Sequence, residues 1–478
     1  MHEATKRQGL LAWLTGLDWS FVAFVTALCG LAFAYGVATM ALKIFPYQLF
    51  VNAKSAFQAL QLMEDEDAGL GMLVNKVDAN ARPAPVVRTF DEAAGKELLL
   101  VTGGPAQDAK NCPQFGCLAW IINRKGDVLY SWPLDLQKLF GNIKGFTGKT
   151  DVRNFYPVGL QLQDDGTLIA SFHARNVFPY TVGIAHIGRK GEILWARLDN
   201  SHHWFTTNEK GDIFAPSEQG LKSRYMGASR MEVRCEFPIS NEGVRVYRKD
   251  GSVTKTISAI NSLKQSGYPG LLYGLRDDCD PIHLNSVDIV TPDIAARLPG
   301  TSAGDFLVSM REPSAVAILD QNDGHVKMLV SGRTAAQHSA HFLPDGSVVA
   351  FDNLGGARET GGTRIARINM ATGKTDTIFP TAASKPLLPF FSADGGHVTV
   401  SPDGKRLMLT SKDESRDFEI EVATGKPLWS RTHVMDVAPF RPDGDRSKPL
   451  AGFFKAYGTY YVTPRQAAAL GLNSLPDR

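Results

Sequence analysis

The chain has 478 residues, of which 44% are hydrophobic and 21% are charged, and its formal net charge is +2. This composition is too apolar for a disordered chain, and the length is sufficient to bury a large core. The nearly balanced charge argues against a nucleic-acid partner, because such proteins need a basic surface to neutralise phosphates.

The first predicted element is an apolar segment, Trp19–Leu42, that contains no charged residue. About 20 apolar residues suffice to cross the hydrocarbon core of a membrane. The sequence therefore predicts a cytoplasmic tail over residues 1–18 and a transmembrane helix over residues 19–43. A cleaved signal peptide is the alternative, but the tail ahead of the run and the length of the run favour an uncleaved anchor. We expect a single-pass protein of the inner (plasma) membrane.

A connector of helical or irregular structure is predicted over residues 44–97. Within it, residues 55–63 have apolar side chains at helical spacing, and residues 64–67 are all acidic. A run of charges is usually solvated, so we expect no metal site here. The anchor and this short helix are candidates for self-association into a homo-oligomer.

Four of the five cysteines lie outside the apolar segment, at Cys112, Cys117, Cys235 and Cys279. An even number permits two disulfides and fits a domain on the periplasmic or extracellular side. Cys112 and Cys117 are close enough in sequence for a local bridge, which leaves Cys235 and Cys279 for the second. A metal site is the weaker alternative, because the spacing is not C-x₂-C and no histidine is near the first pair.

From about residue 98 onward, short apolar runs alternate with turns that contain glycine, which supplies the positive φ of hairpin turns. The turns recur at a density typical of a β-propeller with four-stranded blades. We therefore predict an all-β domain over residues 98–478 that forms a six-bladed β-propeller, since a β-sandwich of this length would need several domains with linkers. The turns are RKGD (124–127), DDGT (164–167), RKGE (189–192), EKGD (209–212), KDGS (249–252), NDGH (322–325), PDGS (344–347), ATGK (371–374), PDGK (402–405) and ATGK (423–426).

Several histidines occupy similar places relative to these turns. His203 and His338 each lie eight residues before a turn glycine, and His397 lies seven residues before one. His283 opens a similar strand. Because the innermost strands of a propeller line one channel, we expect these four side chains to converge. His341 follows His338 by three residues and is expected to face the opposite side of its strand.

Five segments resemble the arylsulfotransferase family. The segment QHSAHFLPDGSVVAFDN (337–353) is similar to the Gln-His strand and the Phe-Asp-Asn end of that family. DPIHLNSVDIV (280–290) is similar to its Asp-x-x-His-x-Asn stretch. The other matches are DFLVSMREPSAVAILD (305–320), HHWFTTNEKGDIF (202–214) and SRDFEIEVATGKPLWS (415–430).

The resemblance implies a six-bladed propeller that transfers a sulfuryl group from an aryl sulfate to a phenol. It implies a ping-pong reaction through a sulfated histidine that needs no PAPS, no cofactor and no metal. By this resemblance His338, which follows Gln337, matches the nucleophile. His283, Arg311 and His203 match the groups that hold the sulfuryl oxygens.

Other residues are expected around the substrate by the same resemblance. His202 is able to exchange with His203, and the asparagines fix histidine tautomers. The chain departs from the family pattern at Trp204 and Ser339, where the family often has a carboxylate or another polar residue. The expected substrate-binding set is His202, Asn285, Gln337 and Asn353.

Two alternatives to sulfuryl transfer stay open from the sequence. The first is a catalytically silent, membrane-anchored propeller that binds a ligand or a protein partner through the same histidines. The second is net hydrolysis of an aryl sulfate, with water in place of the phenol. Transfer suits the residues best, because a neutral imidazole is a good nucleophile near pH 7 and a guanidinium binds a tetrahedral anion well.

Overall fold

The computed structural model describes residues 18–42, 44–47, 49, 74–102, 117–133, 138–139, 155–174, 181–221, 239–273, 279–440 and 447–472. The helix predicted over residues 55–63 lies outside these ranges. The chain divides into two compact units, Met1–Ala68 and Gly69–Arg478.

The first unit contains one long helix, α1 (Trp19–Leu42), of 24 residues. Its start is capped by Asp18, whose Oδ1 accepts from the backbone N–H groups of Ser20 at 2.9 Å and Phe21 at 3.2 Å. At 1.5 Å per residue the helix is roughly 36 Å long, which exceeds a hydrocarbon core of about 30 Å. The helix is long and apolar enough to span a membrane. The side of the membrane on which the rest of the chain lies stays a prediction.

The described part of the second unit consists mainly of antiparallel strands and includes the short helices α2 (Ala259–Gln265), α3 (Pro269–Tyr273), α4 (Pro292–Ala295) and α5 (Pro464–Ala469). The strands, in chain order, are β1 (Val74–Asp78), β2 (Val87–Thr89), β3 (Leu99–Thr102), β4 (Cys117–Ile122), β5 (Val128–Pro133), β6 (Phe155–Leu162), β7 (Leu168–Ala174), β8 (Thr181–Ile187), β9 (Ile193–Arg197), β10 (Thr206–Thr207), β11 (Ile213–Leu221), β12 (Ile239–Tyr247), β13 (Val253–Ser258), β14 (Leu284–Ile289), β15 (Phe306–Met310), β16 (Ala315–Leu319), β17 (Val326–Ser331), β18 (His338–Phe342), β19 (Val348–Asp352), β20 (Arg364–Ile368), β21 (Thr375–Phe379), β22 (His397–Val400), β23 (Arg406–Ser411), β24 (Arg416–Glu421), β25 (Pro427–Thr432), β26 (Val434–Asp436), β27 (Ala451–Phe454) and β28 (Thr459–Tyr461).

These strands form six sheets of four or five strands and one sheet of three among the described residues. Four sheets each use four consecutive strands, β6–β9, β10–β13, β14–β17 and β18–β21. Another sheet has the order β28-β3-β4-β5, so a late strand pairs with an early one, with Thr459 opposite Val101 and Tyr461 opposite Leu99. This pairing brings the two ends of the β region together in one sheet.

The remaining two sheets include strands from the segment predicted to be a connector. Strand β2 adds to the edge of the sheet β22–β25, with Val87 opposite Arg431. Strand β1 pairs with β27, which pairs with β26. The strands of this unit therefore begin about 24 residues before residue 98, because sheet edges late in the chain provide backbone partners for early residues (98 − 74 = 24).

The predicted turns adopt the expected backbone conformation. Each of the ten turn glycines has a positive φ, between 67° and 89°. At Gly404 a side chain would also collide, because an added Cβ would lie 2.3 Å from Cγ of Pro344. The prediction of glycine-dependent turns between strands is confirmed.

Apolar side chains fill the spaces between neighbouring sheets. One such cluster joins the sheets β18–β21 and β22–β25 through four phenylalanine rings, Phe351, Phe379, Phe390 and Phe418. Their ring centroids are separated by 5.2 to 5.3 Å in tilted or edge-to-face arrangements. Such ring contacts stabilise the fold by more than the burial of apolar surface alone, and they hold the adjacent sheets in one orientation.

Two of the four cysteines predicted to form disulfides lie among the described residues. Cys117 and Cys279 take part in disulfide bonds. The partners predicted for them, Cys112 and Cys235, lie outside the described residues. The pairing and the oxidising compartment inferred from it therefore stay predictions.

Replacing Phe390 tests the packing between these two sheets. We expect Phe390→Ala to lower the free energy of unfolding by about 3–5 kcal/mol, because it removes a fully buried ring that contacts three others. Phe391→Ala is the matched control, since its side chain is 44% exposed. Urea unfolding measures both; equal effects of the two substitutions would contradict the packing described here.

Candidate functional site

Three histidine rings meet where the first strands of three sheets begin. His338 is the first residue of β18, and His203 and His283 lie just ahead of β10 and β14. The His203 and His283 ring centroids are 5.2 Å apart, those of His283 and His338 are 5.7 Å apart, and those of His203 and His338 are 6.4 Å apart. Residues 135 positions apart in sequence are thus neighbours in space (338 − 203 = 135).

The backbone at this site adopts conformations that side chains usually avoid. The φ angles of His203, His283 and Ser339 are 51°, 47° and 52°, in the left-handed region. Non-glycine residues in this region carry a cost of order 1–3 kcal/mol and concentrate at functional sites. At His283 a neighbouring strand holds the conformation, because its carbonyl accepts from the backbone N–H of Arg311 at 3.1 Å.

His338 is held in one tautomer by two oxygen acceptors. Its Nδ1 lies 2.8 Å from Oδ1 of Asn353 and 3.1 Å from the carbonyl oxygen of Ala336. Asn353 donates through Nδ2 to the carbonyl oxygens of Ser392 at 2.9 Å and Gly395 at 2.5 Å, so its Oδ1 faces the ring. Since neither oxygen can donate, Nδ1 carries the hydrogen and Nε2 presents a lone pair.

His338 is also kept uncharged. Its side chain is buried, and burial lowers its pKa to about 3, while the negative charge of Asp394 opposes the shift. Burial likewise lowers the pKa of His173 to about 3 and holds those of His202 and His203 well below the usual value. These four imidazoles are therefore neutral at pH 7.

His283 differs from its neighbours by having a carboxylate partner. Its Nδ1 lies 2.6 Å from Oδ2 of Asp280, and its backbone N–H donates to Oδ1 of the same residue at 3.2 Å. Burial would raise the pKa of Asp280, but the charge of His283 and its hydrogen bond outweigh burial and lower it. Because an ionised carboxylate only accepts hydrogen bonds, Nδ1 of His283 carries a hydrogen and donates it to Asp280, which orients the ring.

His202 and His173 lie behind His203. The Nδ1 atoms of His202 and His203 are 2.7 Å apart, so one ring donates to the other. The backbone N–H of His203 donates to Nε2 of His173 at 3.2 Å. Nε2 of His202 lies 3.5 Å from Oε1 of Glu242, a buried acid whose pKa is raised well above its usual value by burial and by the charge of Asp280.

Positive groups and one carboxylate lie on the exposed side of His338. Oδ1 of Asp394 lies 3.5 Å from Nε2 of His338 and 3.8 Å from Nε of Arg311, and Oδ2 lies 3.4 Å from Nζ of Lys412. Nη1 of Arg311 bonds to Oε1 of Glu312, while its Nε is buried without a hydrogen-bond acceptor among the described residues. Burial would raise the pKa of Asp394, but nearby positive charge, that of Lys412 first, outweighs burial and lowers that pKa.

Gln337 and Asn285, which were predicted to bind substrate, form hydrogen bonds with the backbone around these rings. Nε2 of Gln337 donates to the carbonyl oxygens of Met310 and Ala315, at 3.0 and 3.1 Å, and its Oε1 accepts from Thr334. Asn285 donates to the carbonyl oxygen of Gln337 at 2.9 Å and accepts from the backbone N–H of Ser339 at 3.2 Å. Both are fully buried and orient the strand that begins with His338.

A family comparison matches this part of the chain. The model of the arylsulfotransferase (ASST) family matches residues 160–429, more than half of the 478 residues. The chain belongs to the arylsulfotransferase family. The matched range includes the three clustered histidines, Arg311 and Asp394.

Solved structures resemble this arylsulfotransferase family member more distantly, and no curated protein matches it. A protein of unknown function from Bacteroides caccae is 12% identical, with 70% of this chain and 93% of that chain covered and a TM-score of 0.41. The β-propeller domain of Cps50 (Swd1) from Myceliophteria thermophila is 8% identical, covers 72% and 88% of the two chains, and has a TM-score of 0.37. Virginiamycin B lyase from Staphylococcus aureus is 12% identical, covers 57% and 69%, and has a TM-score of 0.33.

The prediction that His397 joins the same cluster is wrong. Its ring instead lies 5.1 Å from that of Trp204 and 5.6 Å from that of His341. His397 precedes its turn glycine by seven residues and His338 by eight, and successive side chains on a strand point to opposite faces. Trp204 shares the seven-residue offset, which explains why His397 packs against it.

Sequence analysis of this arylsulfotransferase family member missed His173, Asp394 and Lys412 as parts of the site. His173 belongs to β7, the second strand of its sheet, so its distance from a turn glycine carries no signal. Asp394 and Lys412 lie on connections between strands. Asp280, the first residue of the segment DPIHLNSVDIV, contacts His283 directly.

The clustered histidines have spacings that a metal ion could use. In two sets, His173 with His202 and His203, and His203 with His283 and His338, one nitrogen per ring lies within 4.8 Å of the others. A carboxylate or amide oxygen on the other ring nitrogen, as at His283 and His338, is also common among zinc ligands. Geometry alone therefore fits a metal as well as a sulfuryl group.

Acid should destabilise the fold through His338. Its pKa is about 3 in the folded chain against about 6.5 when unfolded, so the unfolded state binds the proton first as pH falls below 6.5. Between pH 7 and pH 5.5 we expect the wild type to lose about 1 kcal/mol of unfolding free energy relative to His338→Gln, which cannot be protonated. Urea unfolding of both proteins at the two pH values measures this. A stability difference that does not change with pH would show that His338 titrates normally.

Proposed function

We propose that this chain transfers a sulfuryl group from an aryl sulfate to a phenol through a sulfated His338, without PAPS. The observation that carries the proposal is the buried, neutral imidazole of His338, whose Nε2 lone pair faces the positive groups of Arg311 and Lys412 across Asp394. We also propose that the six sheets of four or five strands are the blades of a six-bladed propeller, with β6, β10, β14, β18, β22 and β28 innermost.

In the first half-reaction Nε2 of His338 attacks the sulfur, an N–S bond forms and the S–O bond to the aryl group breaks. The electron pair of that bond leaves with the phenolate oxygen, which takes a proton from the imidazolium of His283. The sulfated ring of His338 is cationic and keeps the hydrogen on Nδ1. Asn353 and Ala336 stabilise this cation, because both of their oxygens accept from Nδ1–H.

The second half-reaction reverses the roles. A phenol replaces the departed product, gives its proton to the neutral His283, and its oxygen attacks the sulfur. The N–S bond breaks and its electron pair returns to Nε2 of His338. Asp280 keeps His283 oriented in both halves, so one residue serves first as the acid and then as the base.

The transition state places negative charge on three equatorial sulfuryl oxygens, as in phosphoryl transfer. Arg311 and Lys412 supply fixed positive charge, and the buried Nε of Arg311 has a hydrogen available for one of these oxygens. His203 lies beside both other rings and is proposed to donate to another oxygen. These groups are positioned by buried residues that lie behind them, namely His202, Glu242, Asn285 and Gln337.

Asp394 occupies the place where the sulfuryl group would have to bind. Its carboxylate touches the nucleophile and both cations, yet its side chain is 56% exposed, so it lies at the mouth of the site. Gly395 and Gly396 follow it with φ angles of 69° and 103°, conformations that glycine adopts without strain. We propose that Asp394 withdraws when the anionic donor enters.

The proposal extends to the compartment in which the enzyme works. The helix α1 would anchor the β-strand unit to the membrane on the periplasmic or extracellular side. Two disulfides, from Cys112 to Cys117 and from Cys235 to Cys279, would suit that side. Its partners would be the aryl sulfate, the phenol and the membrane.

Trapping the intermediate tests the function. We expect a brief exposure of the full chain to 4-nitrophenyl sulfate, without acceptor, to add one SO₃ group to the peptide that contains His338. His338→Ala should lose this label and lower turnover with phenol by about 10³-fold or more. Mass spectrometry of the quenched, digested protein measures the label. His341→Ala is the matched control and should keep both label and turnover, because that ring lies on the other side of β18.

The outcomes separate the alternatives. Protein that releases no nitrophenol and takes no label would support a silent binding propeller. A rate of nitrophenol release that does not increase with phenol would indicate hydrolysis. Activity lost on dialysis against EDTA and restored by a divalent metal would assign the histidines to a metal instead.

Replacing Asp394 tests whether its carboxylate competes with the donor. We expect Asp394→Asn to lower the KM for 4-nitrophenyl sulfate about three- to tenfold with little change in kcat, because a negative charge leaves the anion site. Asp376→Asn, an exposed substitution on the outermost strand β21, is the control for net charge. A fall in kcat with unchanged KM would instead make Asp394 an acid or base in the reaction.

A further inference from the structure

A second cavity lies at the opposite ends of the same inner strands. Its volume is about 270 Å³, and its walls come from the end regions of β6, β14, β18 and β28, from the whole of β22 and from the start of β10. The lining includes Gln161, Phe205, Asp288, His341, His397 and Tyr460. None of the residues assigned to sulfuryl transfer lines this cavity.

Trp204 separates the cavity from the histidine cluster. Its ring lies 6.2 Å from that of His338 on one side and 5.1 Å from that of His397 on the other. Its Nε1 donates to the carbonyl oxygen of Tyr457 at 2.9 Å, which fixes the ring across the axis. The two spaces are thus distinct, and a small molecule could occupy one without the other.

Asp288 provides the cavity with a carboxylate whose hydrogen-bond acceptor positions are only partly occupied. Its Oδ1 accepts from the backbone N–H of Ile289 at 2.8 Å, and its Oδ2 accepts from that of Phe342 at 3.1 Å. Nδ1 of His341 is 3.5 Å from Oδ2, beyond a good hydrogen bond. A carboxylate has about four acceptor positions, so capacity for further donors remains.

Two other lining residues also present acceptors. Oε1 of Gln161 is buried and has no donor among the described residues. Thr399 donates its hydroxyl hydrogen to the carbonyl oxygen of Thr459 at 2.8 Å, so toward Nδ1 of His397, at 3.2 Å, the same hydroxyl can only accept. Nδ1 of His397 therefore carries the hydrogen of this buried ring, and its Nε2 is an acceptor.

The charge of the lining favours a positive ligand. Among the described residues that line the cavity there is no lysine or arginine, and Asp288 is the one carboxylate. Other parts of the wall include the aromatic rings of Phe205, Phe342 and Tyr460, and aromatic faces attract cations. An anion such as an aryl sulfate would meet Asp288 without a compensating cation.

We propose that this cavity binds a small primary ammonium compound with an aromatic or other apolar body. An ammonium group has three N–H donors and one positive charge, which matches three acceptors of which one is anionic. The apolar body would lie against the aromatic wall. The volume equals that of roughly nine water molecules at about 30 Å³ each, which suits a ligand of the size of benzylamine.

Calorimetric titration of the full chain in detergent with benzylamine tests this site. We expect one equivalent to bind, and benzyl alcohol and benzoate, which have the same ring, to bind at least tenfold more weakly. Asp288→Asn should weaken benzylamine binding at least tenfold, since it removes the charge while keeping an oxygen for a backbone N–H. Asp293→Asn, an exposed change on α4, is the matched control and should bind normally.

Two more variants keep the test decisive. Gln161→Leu should also weaken benzylamine binding, which shows the effect even if Asp288→Asn fails to fold. His338→Ala should bind benzylamine normally, whether or not the chain transfers sulfuryl groups. Equal binding of benzyl alcohol, unchanged binding by Asp288→Asn, or loss of binding in His338→Ala would each overturn the proposal.

Discussion

The hydrogen bond from Nδ1 of His338 to Asn353 and to the carbonyl oxygen of Ala336 determines what this site can do. It places the only ring hydrogen of a neutral imidazole on the buried side, so that Nε2 is left as a nucleophile or a ligand. Asn353 can serve in this way because Ser392 and Gly395, on a separate connection, take both of its N–H groups. The orientation of the His338 ring therefore depends on contacts between two adjacent sheets.

Burial has opposite consequences for different groups at this site. It removes the charge from His338, His203 and His173, because an imidazolium loses its hydration there. At His283 the carboxylate of Asp280 accepts a hydrogen bond from Nδ1 and orients the ring. Two imidazoles less than 6 Å apart therefore have different hydrogen-bond partners, an amide oxygen at His338 and a carboxylate at His283. The left-handed backbone at His203 and His283 adds strain, which the surrounding hydrogen bonds maintain.

The strands β10, β14 and β18 have chemically different surroundings at their two ends. At one end Arg311 and Lys412 make the surroundings of His338 suitable for an anion, and the internal carboxylate of Asp394 occupies that position. At the other end Asp288 lies among acceptors and aromatic rings. Trp204 lies between them and contacts a histidine on each side. Successive side chains on a strand point to opposite faces. Residues one position apart in sequence can therefore contact different sites.

Much of this could be read from the sequence, because it depends on local chemistry. Glycines at the turns, apolar runs of strand length and an uncharged stretch of 24 residues are local patterns, and each corresponds to the element it predicts. The family resemblance also selected His203, His283 and His338, which the fold brings together. Contacts between distant segments were decided only by the tertiary structure. They include the pairing of β28 with β3, the place of His173 beside His203, the approach of Asp394 to Arg311, and the removal of His397 to the far cavity. These contacts depend on how strands are aligned with one another and on where loops between sheets lie. Neither property is visible in a local sequence pattern.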